Sequence, residues 1–447
     1  MVKAIDATSL QKFAAEFDKT PAANVIKNSV ANNGIYKSST TLKSKVSMDP
    51  TFSIELDTGK VADQKQSGLC WVFAALNTLR HPMQAKFKIK DFELSQGYVF
   101  FWDKLEKSNY FYENVIKTAN LPIGDRKVDF LMATPQQDGG QWDMVCGLFE
   151  KYGVVPKSVM PDTASRTNSS ELNQVLNLKL RKDAVKLRQL VNDGLPEHDV
   201  EAQKEQMLSE VYRMLVYAIG EPPTHFDWSY RDDEHNFHRE NNITPQAFYQ
   251  KYIDLNLPEY ISTINAPTKD KPYNHVYTVE LLGNVVGGRQ VRHLNLDLAD
   301  FKQAAVKQLQ AGEAIWFGSD VVQMSDRKAG IMDTAIYDLD GLFNIDFNMT
   351  KAQRLDYGES MMDHAMVLTG VDLDNEGHPT KWKVENSWGE KVGTKGYFVM
   401  SDAWFDQFVY QLVINKKYLP ENLQQAYDQE KDSPKVLAPW DPMGALA

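Results

Sequence analysis

The sequence predicts an α+β fold, with helices gathered in the first two thirds of the chain and an antiparallel sheet in the last third. Three observations carry this. Apolar residues recur at helical spacing in several blocks before about residue 270. Residues 169–220 form a long stretch rich in Leu, Lys, Glu, Gln and Ala, with good amphipathic helix patterning. Beyond Asn274 the pattern changes to short apolar runs with alternation, punctuated by Gly, Asn and Asp. Helical blocks followed by strand blocks are the α+β order.

The elements follow in order. Ser9 is expected to cap a short helix carrying Leu10, Phe13, Ala14 and Phe17. Residues 32–57 read as polar and irregular, with alternation around Phe52, Ile54 and Leu56. A strong helix is expected from Cys70 toward Arg80, interrupted by Pro82. Another is expected over 94–107, and a third over 142–152, after Gly139-Gly140 and ended by Gly153 and Pro156. Thr244 and Pro245 open a further helix as cap and first residue. The strand-like runs are "HVYTVELL", "EAIWFGSDV", "HAMVLTGVDL", "TKWKVENSW", "GYFVMSDAWF" and "QFVYQLVI". The expected organisation is an N-terminal extension (1–60), a helical lobe (61–160), a mainly helical insertion (161–270), a β-rich lobe (271–418) and a C-terminal arm (419–447).

The chain has 447 residues, 43% hydrophobic and 24% charged, enough for a large core and typical of a folded protein. A net charge of −11 argues against non-specific nucleic-acid binding. The start lacks an apolar export segment and no stretch approaches 18 uncharged apolar residues, so neither a secretory signal nor a membrane span is expected. The two cysteines, Cys70 and Cys146, are expected to be free thiols in the cytoplasm and are too few for a cysteine-rich zinc site. No cofactor and no metal are expected. His235 and His238 share an acidic run with Asp232, Asp233 and Glu240, but no zinc-hydrolase motif surrounds them.

Candidate chemistry starts at "SGLCWVFAALNTLR". A cysteine at a helix start is most often a small buried hydrophobe. Yet a helix N-terminus lowers a thiol pKa through its unpaired N–H groups and dipole. Gly68 allows a tight turn into the helix, and Gln64, six residues upstream, is an amide able to stabilise an oxyanion. A thiolate needs a base, and His364 opens the most strand-like run in the chain. Asn386 follows "KWKVE"; its separation of 22 residues from His364 suits a hairpin, so the two side chains are expected to meet. Trp388 is expected to cover that contact, and Cys146 to pack in the core.

These residues resemble the papain-like cysteine peptidases: "DQKQSGLCWVFA" around the cysteine, "HAMVLTGV" around the histidine and "ENSWGEKVGTKGYF" around the asparagine. The family's short cysteine signature is not matched literally, since Leu69 replaces its small residue and His364 lies 294 residues beyond Cys70. Both departures, with "ELSQGYVFFWDKLEK", "DGGQWDM", "KYGVVPKS" and the terminal "WDPMGALA", resemble the bleomycin hydrolase and aminopeptidase C branch over nearly the whole chain. Asp63 and Leu69 depart from that group's usual residues. The resemblance implies a papain-like fold: a helical lobe carries the nucleophile, a sheet lobe carries His and Asn, and a C-terminal tail enters the cleft. It implies Cys70 as nucleophile, His364 as base and acid, Asn386 as orienter, Gln64 as oxyanion donor, and Trp71 and Trp388 as supports. Gly139 and Gly140 would line the non-primed cleft, and the carboxylate of Ala447 would face the substrate's α-amine. Peptides with a free N-terminus are the implied partners, and a homohexamer enclosing the active sites the implied assembly.

Pro434, Pro439 and Pro442 stiffen the tail and Trp440 can anchor it; a dozen residues reach roughly 40 Å. Blocking one side of the cleft would make the protein a cysteine aminopeptidase. The rival expectations are an endopeptidase or oligopeptidase of the same family and an inert scaffold on the same fold. A metal hydrolase built on His235 and His238 stands further off.

Overall fold

The Cys70–Phe87 helix is apolar on almost every side because it runs between two layers. The computed structural model describes residues 3–89, 91–253 and 255–446. On one side of this helix lie the Gln96–Lys117 and Trp142–Tyr152 helices, and on the other the Ile315–Ser319 and His364–Leu373 strands. The Trp316 indole crosses from sheet to helix and donates to the Trp71 carbonyl at 3.1 Å. Pro82 does not stop the helix, contrary to expectation. It forfeits a single backbone bond, while the buried residues from Leu79 to Met83 hold both sides of it in the core.

His364–Leu373 is a central strand, antiparallel to Ile315–Ser319 on one side and to Pro379–Glu385 on the other. The sheet continues past Ile315–Ser319 through Val409–Asn415 to Tyr260–Ile264, all antiparallel. It is not antiparallel throughout: His293–Asn295 pairs parallel with Tyr260–Ile264, and Lys435–Leu437 pairs parallel with Val276–Val279. Alternation along the strands divides two cores. Trp316, Ala365, Val367 and Val413 face the helical layer. Phe317, Met366, Leu368 and Leu412 face the Leu298–Gln310 and Asp402–Phe408 helices. Those two helices interrupt the run of strands expected after Asn274, the second because Ser401 caps it by accepting from the Trp404 amide.

The Lys- and Glu-rich stretch forms the Ser170–Asn192 and Glu197–Ile219 helices, laid against Gln96–Lys117. The acidic run after it forms a hairpin, Phe226–Arg231 paired with Phe237–Ile243. Phe226, Trp228 and Tyr230 alternate along its first strand, and Trp228 packs on Phe248 and Tyr252. At the N-terminus Asp6, not Ser9, caps the Ala7–Phe17 helix, its carboxylate accepting from the Ser9 amide at 2.8 Å. Residues 32–57, expected to be irregular, contain the short Ile35–Ser39 and Leu42–Ser47 helices. Among the described residues no helix is long and apolar enough to cross a membrane.

Candidate active site

Cys70 is the first residue of its helix, with Leu69 at the cap position and no side-chain cap bond. Gly68 is there for space rather than for an unusual turn, since a Cβ would lie 2.9 Å from that of Asp138. The Cys70 sulfur faces the sheet, where the backbone amide of Ala365 reaches it. Ala365 directly follows His364, so sulfur and imidazole belong to the same corner between the layers.

His364 opens one strand of the hairpin and Asn386 directly follows its partner strand, Pro379–Glu385. His364 Nε2 and Asn386 Oδ1 are 2.8 Å apart. The same oxygen accepts the Ser387 amide at 2.7 Å, which fixes the orientation of the Asn386 side chain. An oxygen cannot donate, so Nε2 carries the ring proton and Nδ1 keeps its lone pair. The Trp388 ring stacks on the imidazole with centroids 4.8 Å apart. Gln64 is held to this group: its side-chain carbonyl accepts from Ser387 Oγ at 2.6 Å and its backbone amide donates to the Ser387 carbonyl at 2.8 Å. Gln64 Nε2 donates one hydrogen to the Ser67 carbonyl at 2.7 Å and retains a second. Asp63 pairs with Lys65 at 2.7 Å.

Electrostatically the site differs from the sequence reading. Burial pushes the Cys70 thiol up to about 12, outweighing the nearby backbone amides that favour thiolate. Burial likewise takes His364 down to about 4; its bond to Asn386 opposes the shift and the charge of Arg327 adds to it. The resting pair is therefore thiol and neutral imidazole, with an unprotonated Nδ1 available as base.

Several positioning residues escaped the sequence reading. Asp138 accepts the Gly68 amide at 3.0 Å and, through its backbone carbonyl, the Trp71 indole at 2.6 Å. It also pairs with the buried Lys104 at 2.9 Å, and Ser169 and Asn173 donate to it. Burial alone would raise its pKa, but the charge and hydrogen bond of Lys104, with those of Ser169 and Asn173, hold it well below the carboxylate range. The signal was an acid directly before Gly139-Gly140. Gly140 lies flat on the Trp71 ring, which a Cβ would approach to 2.6 Å, and the Gly139 carbonyl accepts from Lys107 at 2.7 Å. Arg80 and Glu385, both buried, pair at 3.0 Å and tie the Cys70–Phe87 helix to the strand that ends just before Asn386. Cys146 is fully buried and free.

The C-terminal segment runs back to this corner. Lys435–Leu437 joins the sheet edge, Trp440 lies 3.6 Å beneath the Arg126 guanidinium, and Asp441 pairs with the buried Lys271 at 2.9 Å. Met443 is buried, and the Ala445 carbonyl accepts from Gln141 Nε2 at 2.5 Å, one residue beyond Gly140. Leu446 borders a cavity of about 200 Å³ lined by Phe111, Leu131 and Met144 among others. Ala447 lies outside the described residues. His238 Nε2 donates to the Asp232 carboxylate at 2.9 Å, and among the described residues no group of three or more His, Cys, Asp or Glu side chains is arranged to hold a metal.

Residues 4–444 match the model of the peptidase C1-like family. The chain is 60% identical to Aminopeptidase C of Lactobacillus helveticus, over 100% of this chain and 99% of that protein. It is 54% identical to Aminopeptidase C of Streptococcus thermophilus, over 98% of each. Among solved structures, PepW from Lactobacillus rhamnosis HN001 (DR20) superposes with a TM-score of 0.99 at 66% identity, covering 100% of both chains.

Proposed function

We infer that this chain, which belongs to the peptidase C1-like family, is a cysteine aminopeptidase that releases N-terminal residues from peptides. Its similarity to Aminopeptidase C over its whole length supports the activity, and the seat of its tail supports the end-selectivity. In this reading Cys70 attacks the first peptide carbonyl, passing its proton to His364 Nδ1. The oxyanion is met by the free N–H of Gln64 and the Cys70 backbone N–H, which has no carbonyl one turn earlier to bond. His364 gives its proton to the leaving amine as the C–N bond breaks, leaving a thioester on Cys70. Water then attacks the thioester, yields its proton to the imidazole, and the thiol returns as the free amino acid departs. Asn386 holds the ring and Trp388 keeps water from their bond.

The observation that carries exopeptidase action is the bond from Gln141 to Ala445 beside Gly139 and Gly140. A tail held there fills the side where residues before the first would lie. A carboxylate at Ala447 would pair with the substrate α-amine; at 4 Å such a pair contributes about 1 kcal/mol in water and about 4 at a protein surface. Removing residues 444–447 should cut kcat/KM for free-amine peptides at least tenfold and raise cleavage of their N-acetylated forms. Unaltered discrimination would refute the tail's role, and efficient cleavage of N-acetyl peptides by the intact protein would favour an endopeptidase.

A homohexamer is part of the same reading. The Ala7–Phe17 helix buries none of its residues, leaving Leu10, Phe13 and Phe17 exposed, as expected of an arm that lies on another copy. Two free cysteines fit a cytoplasmic location.

A further inference from the structure

The tail occupies one end of the cleft, so the departing part of a substrate must extend toward the other. That end is built on Trp388. One face of its indole stacks on His364 with centroids 4.8 Å apart, and the Arg327 guanidinium lies 5.3 Å from the ring. Arg327 is exposed and, among the described residues, has no carboxylate within ion-pair distance. It stands on the turn between the Ser325–Asp326 and Ile331–Met332 strands. That turn is anchored rather than loose: the Gly330 amide donates to the Asp326 carbonyl at 2.8 Å and the Gly393 amide to the Lys328 carbonyl at 3.1 Å. A further charged group near this turn, Asp363, precedes His364 and accepts the Val321 amide at 2.8 Å. Burial pushes the Asp363 carboxyl up to about 6, against the nearby charge of Arg327, and the same charge adds to the lowering that burial imposes on His364.

We propose that Arg327 is a specificity-determining residue on the leaving side, receiving the free α-carboxylate of a single departing residue, so that the enzyme favours dipeptides. The proposal rests on the aminopeptidase reading above. Its geometry is a matter of reach. Both groups lie on the Trp388 ring, at 4.8 and 5.3 Å, so the guanidinium is no more than about 10 Å from the imidazole. One extended residue spans about 3.5 Å, and its hydrogen-bond contacts to imidazole and guanidinium add roughly 3 Å at each end. A leaving residue whose nitrogen takes the proton from His364 thus ends in a carboxylate at Arg327. A guanidinium also suits this task chemically, since its planar fork matches a carboxylate and it stays charged across the working pH range. Trp388 holds the guanidinium by cation–π contact, which limits the rotamer freedom lost on binding. A peptide amide, or a longer peptide carrying its carboxylate further out, gains nothing there.

The test is the ratio of kcat/KM for one dipeptide to that for its C-terminal amide, at low and at high salt. The intact enzyme should favour the free acid about tenfold or more, chiefly through KM, with the preference shrinking as salt rises. R327Q should bring the ratio close to one, while R327K should keep part of it. A ratio near one in the intact enzyme, an undiminished ratio in R327Q, or an equal loss on acid and amide that marks Arg327 as a mere support for Trp388, would each overturn the proposal. Failure of the aminopeptidase reading would look different: the intact enzyme would cleave neither substrate.

Discussion

At the scale of single residues, the site depends on which proton sits where. Asn386 Oδ1 requires the His364 ring proton on Nε2, and burial keeps Nδ1 bare. A base with a pKa near 4 is unprotonated above that pH and becomes imidazolium below it. Catalysis should therefore stay level from neutral pH down to about 5 and fall as the pH drops through about 4. The kcat/KM of an N-terminal amino-acid arylamide against pH measures this, with protein integrity followed by circular dichroism. An acid limb near 6.5 would mean the imidazole behaves as in water. Gly140 makes a parallel point about space, since only a residue without Cβ lets the backbone lie on the Trp71 ring, next to Cys70 in the chain.

At the scale of elements, the Cys70–Phe87 helix is held at its start by groups on other segments. Asp138 joins the turn at Gly68, the Trp71 indole and the Lys104 ammonium. Asp138→Asn keeps the shape but leaves Lys104 buried without its partner, a change that costs about 3 kcal/mol. The variant should lose that much stability in urea at neutral pH. The sign of the pH dependence follows from the depressed carboxyl pKa: the contribution is complete above the unfolded value of about 4 and is lost as pH falls toward the folded value. The gap between parent and variant should therefore narrow in acid, and a constant gap would contradict the linkage. The helix itself was legible in the sequence, as was the place of Cys70 at its start, because burial between two layers leaves a continuous apolar run. Its passage through Pro82 was not, because one missing hydrogen bond is outweighed by packing from segments far along the chain.

At the scale of the whole molecule, two cores flank one sheet, and the buried Arg80–Glu385 pair links the helical side to the strand before Asn386. The N-terminal arm lacks a core of its own, since the Ala7–Phe17 and Ala23–Asn33 helices bury none of their residues. If the arm lies on a neighbouring copy, Phe13→Asp should shift the sedimentation coefficient toward that of a monomer while far-ultraviolet circular dichroism stays the same. An unchanged assembly, or an intact protein that sediments as a monomer, would count against that role for the arm.

The sequence by itself determined the change from helices to strands, the place of Cys70 at its helix start and the meeting of His364 with Asn386. Helical and strand periodicities are local records of which face is buried, and a hairpin of 22 residues brings two of the three side chains together unaided. Only the tertiary structure decided that the thiol is neutral at rest, that Asp138 steadies the turn before it, that Gln141 holds the tail, and that Arg327 caps Trp388. These depend on how the layers stack. Desolvation and long-range charge pairing are properties of the enclosed volume, and the spacing of neighbours along a chain carries no trace of them.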